Sequence, residues 1–183
     1  MKFLGVIYDD NLNFKYHVNH VTKKLSRSAA MLYRLRDFMP FEVLKTLYYA
    51  HIYPHLLYCN PIWSTTYNTH LTSLNLLHKK IIRIITNSSY LEHTTPLFKS
   101  TKILKFEDLS KISIAKCMYK KQINVSYPSH QYPTRHREQL NVPPHRLTLF
   151  RHSILYLGPR IWNSLPHSIK NAPNRDIFKN KLK

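Results

Sequence analysis

The stretch from Phe41 to Thr86, FEVLKTLYYAHIYPHLLYCNPIWSTTYNTHLTSLNLLHKKIIRIIT, constrains the fold more than any other part of the chain. Two helix-period patterns run through it. In the first, Val43, Leu44, Leu47, Ile52, Leu56 and Leu57 share one expected buried face, and Tyr48, Tyr49, Tyr53 and Tyr58 add aromatic bulk. In the second, Leu71, Leu74, Leu77 or His78, Ile81 and Ile85 recur three or four apart, while Lys79, Lys80 and Arg83 fall on the opposite side. A helix that is oily on one side and cationic on the other packs into a helical body and turns its charge outward.

The same pattern extends on both sides. From about His17 to Phe38, Val18, Val21, Leu25, Ala29, Leu32 and Leu35 form one apolar stripe, with Lys23, Lys24, Arg27, Arg34 and Arg36 largely outside it. Pro40 separates this helix from the next, which is expected over Phe41 to Cys59 with a kink at Pro54 and an end at Asn60-Pro61. A third helix is expected to run to about Thr86, capped by Asn68 or Thr69. Pro96-Leu97-Phe98 suggests a helical turn. Phe106 to Gln122 suggests a fourth long helix, with Leu109, Ile112, Cys117 or Lys116, and Tyr119 in its stripe; Glu107 and Asp108 suit its start and Lys120 and Lys121 its end.

The ends of the chain differ from its middle. Lys2 to Tyr8 reads as a strand with no partner visible nearby, followed by turn chemistry at Asp9, Asp10, Asn11 and Asn13. At Asn124 the composition shifts: Pro128, Pro133, Pro143 and Pro144 mark a linker or extended basic arm that also holds Tyr127, Tyr132, Arg135, His136 and Arg137. Alternation at Leu147, Leu149, Ile154 and Tyr156 suggests one or two short strands. Gly158-Pro159 then suggests a turn, Arg160 to Leu165 a short helix, and Ile177 to Lys183 a basic helix. The expected fold is therefore mainly α: a helical bundle over 15–123, a short N-terminal strand and turn over 1–14, and a basic segment over 124–183 with a small β-hairpin and short helices.

Charge narrows the function. The 183 residues hold 28 Lys plus Arg against 9 Asp plus Glu, a formal net charge of +19. A folded body this basic implies a polyanionic partner, and nucleic acid fits best. The 43% hydrophobic content is enough for a core. Two glycines cannot build a Gly-rich phosphate loop. The two cysteines, Cys59 and Cys117, read as reduced buried thiols. No apolar run is long enough to span a membrane, and the N-terminus lacks the form of a signal peptide.

Catalytic constellations are weak. Two-metal polymerases place an aromatic, one spacer and two aspartates on a tight hairpin. In Tyr8-Asp9-Asp10 the aromatic is one position too close, and the remaining acids form no second carboxylate set, so the pair reads as a turn. A nuclease using Asp9 and Asp10 is a rival that the same shortage of carboxylates disfavours. His51, His55 and Cys59 are spaced by four, yet no C-x-x-C accompanies them and Pro54 disturbs their alignment, so a metal site is not expected. No serine sits in a nucleophile elbow. No catalytic residue, metal ligand or resident cofactor is assigned to the chain.

Ordered motifs point further. Lys2-Phe3-Leu4-Gly5-Val6, then Asp10, Leu12, Phe14 and His17, resembles the segment after the catalytic strands in reverse transcriptases of non-LTR retrotransposons of the jockey-like group, with Phe14 in place of the usual tryptophan. The resemblance continues through Leu32-Tyr33-Arg34-Leu35, Leu47-Tyr48-Tyr49, Ile52-Tyr53-Pro54-His55-Leu56, Tyr58-Cys59, Trp63, Lys79-Lys80 and Arg83-Ile84-Ile85. Thr95-Pro96-Leu97-Phe98, Thr134-Arg135 and Gly158-Pro159-Arg160-Ile161-Trp162-Asn163-Ser164-Leu165-Pro166 complete it, in the family's order.

This resemblance implies that Lys2 to Tyr8 is the strand around the primer grip, that the helices from His17 to Thr86 are a thumb holding template–primer duplex, and that the remainder is a C-terminal segment for element RNA and target DNA. It implies a truncated RNA-directed DNA polymerase whose palm and fingers, with the magnesium-binding aspartates of the intact enzyme, lie upstream and act as possible partners. The expected nucleic-acid contacts are Lys23, Lys24, Arg27, Arg34, Lys79, Lys80, Arg83, Arg135, Arg137 and Arg160. RNA and DNA are the expected partners, with no membrane and an intracellular location, nuclear or cytoplasmic. The alternative is a stand-alone basic RNA-binding structural protein.

Overall fold

The computed structural model of the chain describes residues 1–120 and 139–182. It is mainly helical, with one two-stranded sheet at the N-terminus. The backbone divides into two compact units, Met1–Leu109 and Ser110–Lys183. The composition shift at Asn124, and Arg135 and Arg137 beyond it, lie outside the described residues.

The first unit opens with a hairpin rather than a strand awaiting a distant partner. Strands β1 (Lys2–Phe3) and β2 (Val6–Ile7) pair antiparallel, Lys2 opposite Ile7 and Phe3 opposite Val6. The two-residue loop needs positive φ at both positions, and Leu4 (44°) and Gly5 (83°) supply it. Gly5 adopts this conformation without strain and Leu4 does not, which is why Leu-Gly gives a weaker turn signal than Asn-Gly.

Helix α1 (Lys15–Leu35) follows, two residues ahead of the expected start. Its buried residues His17, Val18, Val21, Leu25, Ala29 and Leu32 are the expected stripe with one histidine added. The expected second helix is instead two, broken at the expected kink, and a further short helix lies beyond its end. Helix α2 (Phe41–His51) stops because Pro54 has no N–H to donate and its ring would clash with the carbonyl of Ala50. Helix α3 (Tyr53–Leu57) restarts with Pro54 in its first turn, where the missing N–H is harmless. Asn60-Pro61 does not simply end that run: it opens helix α4 (Asn60–Trp63) after Cys59 takes a left-handed conformation at φ 48°. This re-aiming leaves Val43 and Leu57 exposed, contrary to the single-face reading, while Leu44, Tyr48, Ile52 and Leu56 are buried.

Helix α5 (Asn68–Ile85) begins after Tyr67, whose side chain makes no capping bond, so neither Asn68 nor Thr69 caps it. Helix α1 packs along α5, α2 packs against both, and α6 (Thr94–Thr101) packs against α5. The core closes on Trp63, which has no exposed surface. Its ring stacks on Phe106 at 5.5 Å and meets the edge of His17 at 5.3 Å. Its indole N–H donates to the Tyr58 carbonyl at 2.8 Å, which satisfies the buried donor. Phe106 begins helix α7 (Phe106–Tyr119).

The second unit is built of shorter helices: α8 (Thr148–Arg151), α9 (Ile154–Ser164), α10 (His167–Lys170) and α11 (Arg175–Lys181). The expected β-hairpin at 146–157 is absent, and no strand follows β2 among the described residues. The apparent alternation was a short sample of a 3.6-residue period, since Ile154, Leu157, Ile161 and Leu165 also share one helical face. Ser153 accepts a hydrogen bond from the Leu155 N–H at 3.0 Å, the N-cap that starts α9.

The Gly158–Pro166 motif is scaffolding in this unit. A Cβ on Gly158 would lie 2.6 Å from the Met118 sulfur, so only glycine permits that approach. Tyr119 stacks on Phe178 at 4.2 Å, Trp162 lies beside Phe178, and the Tyr119 hydroxyl donates to the Ala172 carbonyl. The Asn163 amide clamps Leu140, accepting from its N–H and donating to its carbonyl, both at 2.9 Å.

Candidate nucleic-acid interface

Helix α1 segregates its residues sharply. His17, Val18, Val21, Leu25, Ala29 and Leu32 face the core, and Tyr16, His20, Lys23, Lys24, Arg27 and Arg34 share the other side at helical spacing. Lys23, Lys24, Arg27 and Arg34 are all exposed. The first turn carries no acid, so nothing on α1 itself offsets this strip near its start.

The strip is widened by other elements. Burial lowers the His20 pKa first, and Lys24, Lys2, His55 and Lys23 lower it further. His55 is lowered by burial and then by Lys24 and His51. No carboxylate is among the groups acting on either histidine. Lys2 of β1 and Lys23 and Lys24 of α1 thus act on His20, and Lys24 also acts on His55 of α3, with no carboxylate beside them, an arrangement that a phosphate backbone relieves.

The hairpin is fastened to this face. The Ile7 N–H donates to His17 Nδ1 at 3.3 Å, and the Tyr58 hydroxyl donates to the Leu4 carbonyl. Accepting at Nδ1 requires a neutral imidazole, and burial, with His20 and Lys24 nearby, pushes the His17 pKa down to about 4. At the far end of the turn, Thr66 Oγ1 donates to the Asn13 carbonyl.

Helix α5 carries a second strip. Lys79 and Lys80 are exposed and Arg83 is half-buried. Because α1 and α5 pack through their apolar faces, each turns its cations away from the shared core, and the strips lie on different sides of the first unit. Arg83 is also held locally: its Nε–H donates to the Glu92 carbonyl at 3.0 Å, and its guanidinium sits 5.9 Å from the Tyr90 ring centre. In the second unit Arg160 is exposed above the Tyr156 ring at 5.4 Å.

Within the first unit the expected contacts thus fall on two helices rather than in one patch. Sequence reading missed Lys2, His20, His55 and Tyr90. The i,i+4 spacing of His20 and Lys24 was a usable signal. Lys2 and His55 join the cluster only through tertiary packing.

No group of three or more His, Cys, Asp or Glu side chains able to hold a metal is present among the described residues. Asp9 Oδ1 accepts from the Asn13 N–H at 2.8 Å, and the Asp9 carbonyl accepts from the Leu12 N–H. Although Asp9 Oδ2 is buried without a partner, one carboxylate committed to a turn does not fit a two-magnesium centre. The break at Ile52 separates His51 from His55, and Cys59 stands in a left-handed turn, so these three form no ligand set. No helix among the described residues is long and apolar enough to cross a membrane.

Over 116 residues the chain is 27% identical to the probable RNA-directed DNA polymerase from transposon X-element of Drosophila melanogaster. This similarity supports a reverse-transcriptase-related origin. The aligned part covers 61% of this chain and 13% of that polymerase, so the chain spans a small fraction of its relative. No family model and no solved structure matches the chain.

Proposed function

We infer that these 183 residues form a nucleic-acid grip of the non-LTR reverse-transcriptase type, equivalent to the thumb and C-terminal segment rather than to the palm. The observation that carries this reading is the outward face of α1, where Lys23, Lys24, Arg27 and Arg34 continue into a cluster with Lys2, His20 and His55. A row of cations along a helix, fixed from beneath by a packed core, tracks a phosphate backbone and carries no sequence code. The similarity to a transposon polymerase supports nucleic acid as the partner, and the forms we propose for it are template–primer duplex and element RNA. In this reading polymerisation uses magnesium-binding carboxylates other than Asp9 and Asp10, and this segment contributes binding alone.

Fluorescence anisotropy with an RNA–DNA hybrid, across about 50 to 200 mM salt, tests the reading. Affinity should fall steeply with salt. A Lys23→Gln, Lys24→Gln, Arg27→Gln variant should flatten the slope by about one unit for each phosphate it no longer engages. Salt-insensitive binding, or none, defeats the reading. Primer extension by this chain alone, with magnesium and deoxynucleotides, defeats the assignment of binding without catalysis. A clear preference for single-stranded RNA over the hybrid on the α1 strip favours the stand-alone RNA-binding reading.

A further inference from the structure

The segment between α5 and α6 holds two of the most exposed large apolar side chains in the first unit, Tyr90 (77%) and Leu91 (84%). They do not sit on a loose connection. The Ser88 N–H donates to the Arg83 carbonyl at 3.0 Å, the Asn87 N–H to the Ile84 carbonyl at 3.3 Å, and the Glu92 N–H to the Ser89 carbonyl at 3.1 Å. Thr86 Oγ1 and Ser88 Oγ are 2.8 Å apart, and Asn87 takes the left-handed conformation (φ 50°) that turns the chain. Arg83 then clamps the far side through the Glu92 carbonyl and lies over the Tyr90 ring. A backbone bonded this closely holds an aromatic ring outward in a set position.

Among the described residues, neither hydrophobic burial nor a hydrogen bond accounts for that ring. Its position gives one face to a guanidinium and leaves most of its surface to solvent. One turn back along α5 stands exposed Lys79, with Lys80 beside it. An exposed aromatic ring with an arginine over it, on the turn that follows a helix carrying two exposed lysines, matches what an unpaired nucleotide needs: a π-face for the base and cations for its phosphates. A duplex keeps its bases stacked on each other and gains nothing from the ring.

We propose that Tyr90, with the Arg83 guanidinium 5.9 Å from its ring centre and Lys79 and Lys80 one turn back from Arg83 along α5, is a stacking platform for single-stranded nucleic acid, separate from the α1 strip. The assignment rests on the nucleic-acid-grip reading above and adds to it a second site with a different substrate form. Charge complementarity selects nucleic acid over a protein segment as the occupant, because Lys79, Lys80 and Arg83 outweigh the single acid of the turn, Glu92.

The test uses the whole chain and three fluorescent probes: a single-stranded oligonucleotide, the same strand with abasic positions, and the matching duplex. Tyr90→Ala should weaken binding of the intact strand roughly five- to hundredfold, the range expected for removing one base stack. Tyr90→Phe should retain most of it. Tyr90→Ala should leave duplex binding, abasic-strand binding and the salt slope unchanged, whereas Lys79→Gln should reduce the single-strand salt slope. Circular dichroism should be unaltered, since the ring is exposed. Equal single-strand affinity for wild type and Tyr90→Ala overturns the platform and leaves the grip reading standing. An equal loss on duplex and abasic strand also overturns it. Failure of the wild-type chain to bind any probe overturns both.

Discussion

Helices α1 and α5 are two versions of one design. Each is long and amphipathic, lays an apolar stripe against the other, turns cations outward and buries one histidine. They differ in what the histidine and the cations are joined to. In α1, His17 reaches outward to the hairpin backbone, and its surface cations are joined by titratable imidazoles, His20 and His55. In α5, His78 is wholly enclosed: its Nε2 shares a hydrogen bond with the Tyr48 hydroxyl at 2.9 Å and its ring packs edge-to-face with Phe98. The outward face of α5 ends in the Arg83–Tyr90 contact rather than in histidines. The same residue type is thus a neutral fastener on one face and a chargeable surface group on another, and the neighbours decide which.

The largest effects should come from the shared core. Leu25 of α1 and Leu74 of α5 are both fully buried, and Leu25→Ala and Leu74→Ala should each destabilise by about 2–5 kcal/mol in urea denaturation. Lys24→Ala and Lys79→Ala should stay within about 0.5 kcal/mol. A core effect confined to one helix would break the parallel between them.

Tyr48→Phe should cost about 1–3 kcal/mol, because it leaves His78 Nε2 buried without its hydrogen-bond partner. Denaturation midpoints check this, and a neutral outcome would mean that the pair contributes packing alone.

Acid should separate the buried histidines from the exposed ones. Burial pushes the His78 pKa down to about 4, and His17 reaches the same value from an ordinary 6.5. In the unfolded chain these groups take up protons below about pH 6.5, while in the folded chain they resist until about pH 4. Their stabilising contribution is therefore whole above pH 6.5 and is lost as pH falls toward 4. Imidazole titrations by NMR should keep His17 and His78 neutral at pH values where His20 and His55 begin to charge.

Binding should show the two strips as independent. Neutralising Lys23, Lys24 and Arg27, and separately Lys79 and Lys80, should reduce affinity additively, since the faces point apart. Strong non-additivity would place both on one ligand. The smallest effect should be proton-linked: since burial and nearby lysines hold His20 and His55 below the ordinary 6.5, duplex affinity should rise modestly as pH falls below about 6.5, and His20→Gln with His55→Gln should remove most of that rise. Retention of the full rise in this variant would assign it to other histidines.

Much of the bundle was legible because its helices are strongly periodic. The stripes of α1 and α5 were placed almost residue by residue, and their cations fell where the period put them. The failures have local physical causes. Leu4-Gly5 closed a hairpin because Gly5, and less comfortably Leu4, accepts positive φ. Pro54 splits one expected helix into two and Pro61 opens another beyond its end, since each removes a donor and tolerates only a first turn. The residues after Arg146 carried too few apolar positions to distinguish a period of two from the helical one.

The site was legible only in part. Lys23, Lys24, Arg27 and Arg34 follow from the period of one helix. The approach of Lys2 and His55 to His20, and the seating of Tyr90 on Arg83, follow from none.

By itself the sequence determined that the chain is basic, mainly helical and patterned to hide one side of each long helix, because charge totals and periodicity are local properties of the covalent chain. Tertiary structure decided which cations meet and which are kept apart. That outcome depends on how α1, α3 and the hairpin dock and on which way the α5–α6 turn points, and such contacts join residues whose separation along the chain has no fixed relation to their separation in space.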